Sequence, residues 1–289
     1  MKNFYTAKEA MQALGLKKST FYDLIKRGDL PEGTMLPLRR RALYPKAIID
    51  KLAEERASIL GEYEQQPERL QLMIPTREDF QQIVEIDRVL FPEETWMSAE
   101  ALQERLSYNP EVTHVLKDTK TNTVLSYLSM SPLQQDIFEK LITLQVDETA
   151  LQPEHFKPYL VNTPLDCYII SMGARAGTGI AQHYYAGKLV YAVKNYLTEL
   201  LERGIIVRHI YAVATSKAGE KLAQSLSFTP LVASEEQQNT YEDFRHSYIL
   251  NLEEKNSQSK MAKEYQRHKT NRERRLKRYT KQAREDHLS

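Results

Sequence analysis

Residues 71–252 switch repeatedly between strand-like and helix-like patterns, and this alternation limits the fold more than any other feature of the chain. The coarse order is strand (71–74), helix (77–90), helix (98–107), strand (112–118), strand (123–131), then an irregular or helical stretch to about 160. A buried strand follows at 166–173, then a glycine-bearing loop, a long helix (187–203), a strand (206–214), a helix (217–227) and a final strand near 243–251. Such an order predicts a mixed α/β central sheet with flanking helices, an α+β body. Within it, "THVLKDTKTNTVLSYLSM" is a hairpin, because two β-rich runs flank the polar turn "DTKTN".

A chain of 289 residues has room for one sizeable core and one small module. No apolar run approaches the roughly 20 residues that span a bilayer. The first residues lack the charged-then-apolar pattern of a signal peptide, so the cytoplasm is the expected location. The one cysteine, Cys167, excludes an intrachain disulfide and a cysteine-rich zinc site. The seven histidines show no metal-ligand spacing, and no metal is expected. Charge is unevenly spread. Residues 1–56 carry 12 Lys and Arg against 7 Asp and Glu, and residues 255–289 carry 12 against 4, while 57–254 are strongly acidic. Polyanion contacts are therefore expected at the two ends.

The N-terminal segment reads as short helices. Thr6 and Glu9 have capping-box spacing before the apolar positions Ala10, Ala13 and Leu14, and Gly15 stops that helix. A second helix starts near Ser19, turns Phe21, Leu24 and Ile25 inward and ends at Gly28. "MLPLRRRALYP" reads as a short hairpin, "KAIIDKLAEER" as a closing helix, and the polar residues 57–70 as a helix end and linker. The motifs Tyr5-Thr6-Ala7-Lys8-Glu9-Ala10, Leu14-Gly15-Leu16, Ser19-Thr20-Phe21-Tyr22, Leu24 to Pro31, Arg39-Arg40-Arg41 and "YPKAIIDKLA" resemble the small winged helix-turn-helix domains of the MerR and excisionase type. The resemblance implies DNA as the partner of residues 1–56, with the second helix in the major groove and the wing on the backbone or minor groove. Lys17 and Lys18 suit phosphate contact at the helix start, and Ser19, Thr20 and Tyr22 suit base edges. Arg39, Arg40 and Arg41 suit phosphate. The alternatives are a helix cap at Ser19, a solvated arginine loop and a protein-docking module.

The body, residues 71–252, resembles the GCN5-related N-acetyltransferase (GNAT) family. "IPTREDFQQIVEIDRVLFPEETWMSAEALQERL" is similar to that family's paired first helices, the hairpin to its second and third strands, "DCYIISMGA" to its fourth strand, and "SKAGEKLAQSLSFTPL" to the segment that ends in Leu-Gly-Phe, here Leu226-Ser227-Phe228. The resemblance implies acetyl-CoA or a related acyl-CoA as co-substrate. The family's pyrophosphate turn lies on Gln182-His183-Tyr184-Tyr185-Ala186-Gly187, with Tyr185 in place of the first glycine. Small residues suit such a turn because backbone N–H groups must approach the phosphates. Gly177 and Gly179 just before it could supply the amides, or the true turn could begin there. Met172, Lys188 and Ser216 complete the candidate cofactor residues. The empty alternative is a strand-to-helix loop without a ligand.

Catalytic candidates are Asp166 and Tyr168, which share one face of a strand and could assist proton removal from an amine. Glu93 and Glu94 lie in a loop that lines the acceptor side in this family. Ala223 stands where the family often has a catalytic tyrosine, and Ser216 where it has an asparagine. Cys167 reads as a small buried hydrophobe. Three functions follow. One is a DNA-binding protein that transfers an acyl group to an unknown amine. Another is a transcriptional regulator whose degenerate GNAT-like domain senses acyl-CoA or mediates dimerisation or partner binding. The third is a plasmid- or phage-associated accessory protein whose basic tail joins an RNA or DNA complex. The tail, 253–289, reads as a basic extension without a buried face, helical or disordered, that could add contacts to DNA. A homodimer is compatible with the first two readings.

Overall fold

The computed structural model describes residues 3–35, 41–177, 179–231, 245–254 and 256–286. Thr6 closes the short strand β1 (Phe4–Thr6) and opens α1 (Ala7–Leu14). Its Oγ1 accepts the Glu9 N–H at 3.3 Å while Glu9 Oε2 accepts the Thr6 N–H at 2.7 Å, the reciprocal bonding that the spacing predicts. Gly15 ends α1 at φ +60°, a left-handed angle that favours glycine. After the three residues Gly15 to Lys17 comes α2 (Lys18–Arg27). Strand β2 (Leu43–Pro45) pairs antiparallel with β1, and Leu43 also bridges to Thr34.

The next helix, α3 (Lys46–Glu64), continues well into what the sequence presents as linker. Ile59 and Tyr63 are buried one turn apart, and this apolar spacing keeps the chain helical through a polar composition.

The body follows as β3 (Leu70–Met73), α4 (Arg77–Leu90), α5 (Ala99–Tyr108), β4 (Thr113–Asp118), β5 (Thr123–Ser131), α6 (Gln135–Ile142), β6 (Pro164–Ala174), α7 (Gly179–Glu202), β7 (Ile206–Ala214), α8 (Lys217–Ser225), β8 (Thr229–Pro230), β9 (His246–Asn251) and α9 (Lys260–Asp286). Among the described residues seven strands form one sheet in the order β3-β4-β5-β6-β7-β9-β8. Among the described residues β6 and β7 pair parallel, and the other neighbouring strands of this sheet pair antiparallel. The hairpin strands β4 and β5 and the strand β6 take second, third and fourth place, as the family resemblance implies. The fold is thus a mixed α/β sheet with helices on both faces, preceded by a helix-turn-helix region.

One face is covered by α4, α5 and α6. Phe80, Ile83, Ile86 and Leu102 pack there on Val115, Val124 and Tyr127, and Ile137, Phe138 and Leu141 pack near Tyr168 and Ile170. The other face is covered by α7, through Leu189, Val193, Leu197 and Leu200, against Leu128, Met130, Cys167 and Ile210. The start of α9 joins this second layer. Met261, Ala262 and Tyr265 are buried in it, and the Tyr265 hydroxyl accepts the Val207 N–H at 2.9 Å. This corrects the expectation that the tail buries no face: three residues at i, i+1 and i+4 suffice to seat the helix. Residues 273–280, by contrast, are all exposed. Among the described residues no helix is long and apolar enough to cross a membrane, and no His, Cys, Asp or Glu cluster is arranged to hold a metal ion.

Candidate functional sites

In α2 the residues Phe21 and Leu24 are buried and Ile25 is half-buried, leaving Lys18, Ser19, Tyr22, Asp23 and Lys26 on the exposed side. Lys17, in extended conformation, is the N-cap, so Ser19 is the second helical residue and does not cap. Thr20 departs from the expected reading face. It sits about 100° around the helix from Ser19 and lines a cleft of about 250 Å³ between α2, α3 and α7, together with Lys17, Arg56, Ile180 and His183. Arg41 is exposed, and Arg39 and Arg40 lie outside the described residues. Asp23 and Lys26 were missed in the sequence, although their spacing from Ser19 and Tyr22 puts them on the same side.

The parallel strands β6 and β7 pair from Pro164–Ile206 to Ile169–Ala212 and no further. Yet β6 stays paired with β5 as far as Ala174, and β7 with β9 as far as Ala214. Their carboxyl ends therefore part. In open α/β sheets the crevice outside the carboxyl ends of parallel strands is where ligands bind.

The helix after β6 starts at Gly179, eight residues before the expected Gly187. Gln182 to Lys188 are consequently helical and do not form a turn. The helix start falls in the loop of Arg175 to Gly179, the alternative left open by the two glycines; Thr178 is outside the described residues. The N-terminal domain holds this start. Ile180 is 4% exposed and joins the cluster of Ala10, Leu14, Phe21, Leu24 and Ile49. The Asp29 side chain lies against the Gly179 backbone, where an added Cβ would come within 2.2 Å of it. Tyr184 stacks on Tyr63 with centroids 6.1 Å apart and donates to Glu64 Oε1 at 3.1 Å, and Tyr185 meets Tyr63 edge-on at 6.2 Å. Lys188 is paired with Glu64 at 2.7 Å. Tyr185, the substitute for glycine in the family pattern, is thus used for packing α7 against α3.

The remaining candidates are scattered. Gln182 Nε2 donates to Ala174 O at 3.3 Å, tying α7 to the end of β6. His183 and Gly187 are exposed, Ala186 is half-buried, and Gly177 is exposed in the loop. Met172 packs towards the α7 layer. Ser216 Oγ accepts the Gly219 N–H at 3.1 Å and caps α8. Ala223 is buried in the core.

Asp166 and Tyr168 share a strand face but not a site. Asp166 binds His209 Nδ1 and Arg208 Nη2, each at 2.8 Å, near the amino end of β6. Tyr168 is fully buried and its hydroxyl donates to Glu148. Glu93 and Glu94 are exposed in a single turn. Burial pushes the Cys167 thiol up, which disfavours a thiolate.

A polar group absent from the sequence reading lies closer to the gap. The Tyr127 hydroxyl donates to Asp87, and Tyr127 stands opposite Gly173 in the stretch of β6 that has left β7. Burial pushes the Asp87 carboxyl up to about 6, against the pull of Tyr127 and Arg105, and burial lifts Glu148 as well. Arg105 rests on the Phe156 ring at 5.2 Å, and burial lowers its guanidinium to about 10. The available signal was a charged residue on an inward helical face: Asp87 follows Ile83 and Ile86, and Arg105 lies between Leu102 and Leu106.

Comparison with known proteins gives two findings. Residues 4–57 match the family model of a helix-turn-helix domain. Among solved structures the chain is similar to the loading GNATL domain of CurA from Lyngbya majuscula, at 9% identity and TM-score 0.44, over 63% of this chain and 97% of that one. It is also similar to the GphF GNAT-like decarboxylase in complex with isobutyryl-CoA, at 9% identity and TM-score 0.42, over 63% and 98%. Arabidopsis thaliana NAA60 in complex with acetyl-CoA is similar at 12% identity and TM-score 0.39, over 63% and 98%. No curated protein matches the chain.

Proposed function

We propose that this is a DNA-binding protein of the cytoplasm whose GNAT-like body, residues 71–252, takes acetyl-CoA or a related acyl-CoA and passes the acyl group to an amine. The observation that carries the reading is the parting of β6 and β7 beside the start of α7, in a chain that opens with a helix-turn-helix domain. In the reaction the amine nitrogen attacks the thioester carbonyl, a C–N bond forms as the C–S bond breaks, and CoA leaves as a thiol with the proton the amine gives up. Asp87 and Glu148, whose carboxyls burial lifts towards neutrality, are groups able to take that proton. Residues 1–56, of the winged MerR and excisionase type, read DNA through Ser19 and Tyr22, with Lys17, Lys18 and Arg39 to Arg41 on phosphates. The basic tail adds phosphate contacts, and a homodimer supplies a second module.

One observation favours a second reading, that of a regulator which senses acyl-CoA. The amides at the start of α7 suit a diphosphate, but Asp29 and the seat of Ile180 cover them. A diphosphate there would compete with the docked N-terminal domain, so acyl-CoA would change how DNA is read. The experiment is melting of the protein with millimolar acetyl-CoA, followed by selection from random duplexes with and without it. A higher melting temperature and an enriched motif that depends on Ser19 and Tyr22, but not on Thr20, are expected. Unchanged melting removes the acyl-CoA reading, and the absence of a motif removes the DNA reading.

A further inference from the structure

Arg105 lies deep on the α4–α6 side of the sheet and lacks the partner its charge requires. It is 3% exposed, and its Nη2 has no hydrogen-bond partner among the described residues. The acids that reach it electrostatically are engaged elsewhere: Asp87 accepts the Tyr127 hydroxyl and Glu148 accepts the Tyr168 hydroxyl. One face of the guanidinium is closed by Phe156. Arg245, which also reaches Glu148 electrostatically, donates from Nη2 to Val146 O at 2.9 Å, while its buried Nε likewise has no hydrogen-bond partner among the described residues. Buried polar groups are almost always hydrogen-bonded, and a buried charge without an acceptor is costly. A purely structural cluster of two arginines and two carboxylates would close on itself through direct ion pairs. Here the tyrosines occupy the carboxylates and leave guanidinium donors open.

The chemistry of the cluster selects its guest. A guanidinium fork matches a carboxylate in two parallel hydrogen bonds. The carboxyls of Asp87 and Glu148 beside it oppose a doubly charged phosphate and suit an ammonium group. Tyr127 stands on the strand next to the gap between β6 and β7, so the cluster adjoins that gap. We infer that this side of the sheet binds a free amino acid, its carboxylate on Arg105 and its amine towards Asp87 and Glu148. The assignment of that amino acid as the acyl acceptor rests on the acyltransferase reading; the binding site itself does not.

The test is melting of the full chain with each of the twenty common amino acids, and with the corresponding amino-acid amides, for the unaltered protein, R105Q and R105K. At least one amino acid raises the melting temperature and its amide does not. R105Q abolishes the rise, R105K keeps part of it, and acetyl-CoA raises both variants as it raises the unaltered protein. R105Q alone melts close to the unaltered protein, because the Nη2 it removes has no hydrogen-bond partner among the described residues, and only the contact with the Phe156 ring is weakened. The inference is overturned if no amino acid acts, if amides act equally, if R105Q responds as the unaltered protein does, or if R105Q melts far lower and so betrays a protein partner. If acetyl-CoA shifts nothing while an amino acid does, the acyltransferase reading falls and the site stands.

Discussion

Ser227 adopts φ +63°, a left-handed conformation in which a Cβ is crowded. It is the middle residue of Leu226-Ser227-Phe228, where the GNAT resemblance expects glycine, so the backbone keeps the shape and the side chain bears the strain. Left-handed backbone costs an L residue roughly 1–2 kcal/mol relative to glycine, part of which glycine gives back through its freer unfolded chain. Ser227→Gly is therefore expected to stabilise the protein by about 0.5–1 kcal/mol, read as a higher denaturant midpoint at constant slope. A lower midpoint would mean that the hydroxyl makes a bond worth more than the strain. The same scale shows why the site was only partly legible. A pattern of single letters reveals where a glycine is missing, as at Tyr185 and Ser227. It does not reveal that Asp87 and Arg105 share one neighbourhood, because α4 and α5 are brought together there by a sheet residue, Tyr127, that belongs to neither helix.

Among elements, α4, β5 and β7 fall where the sequence places them, since each carries its own periodicity and a clear stop. Helix α7 does not. Gly177, Gly179 and Gly187 mimic a loop, and the first two turns are fixed by the N-terminal domain instead of by local preference. Their stability is thus a tertiary property, which predicts a specific failure. Ile180→Ala removes a buried side chain shared by α7 and the helix-turn-helix core, at a cost of roughly 2–5 kcal/mol. Because Ile180 is the apolar bolt between the two, amide exchange should accelerate in α2 and in residues 179–185 together, while α4 and β5 stay protected. Acceleration confined to α7 would show that the N-terminal domain keeps its place without the bolt.

At the scale of the molecule, α7 is a spacer between two basic ends. The N-terminal domain grips its start at Ile180, and α9 runs alongside its later turns in the same direction, with Lys194 on Glu264 and Glu202 on Arg275. From Ile180 to Glu202 the axis covers about 33 Å, close to one turn of duplex. The free part of α9 then projects beyond α7, away from α2. It carries Arg274, Lys277 and Arg278 with the exposed Leu276 and Tyr279. A duplex read by α2 can thus meet the tail one turn away, in the next groove, without a second chain. The two halves of α9 should separate by truncation. Removing 273–289 leaves the core untouched, so melting is unchanged, while the salt slope of DNA binding falls by about one for each phosphate that the tail had neutralised and the footprint shortens by about one turn. Removing 257–289 takes Met261 and Tyr265 out of the core as well, and should destabilise the body by more than about 3 kcal/mol. An unchanged slope and footprint after the shorter truncation would mean that the projecting helix serves a partner other than DNA.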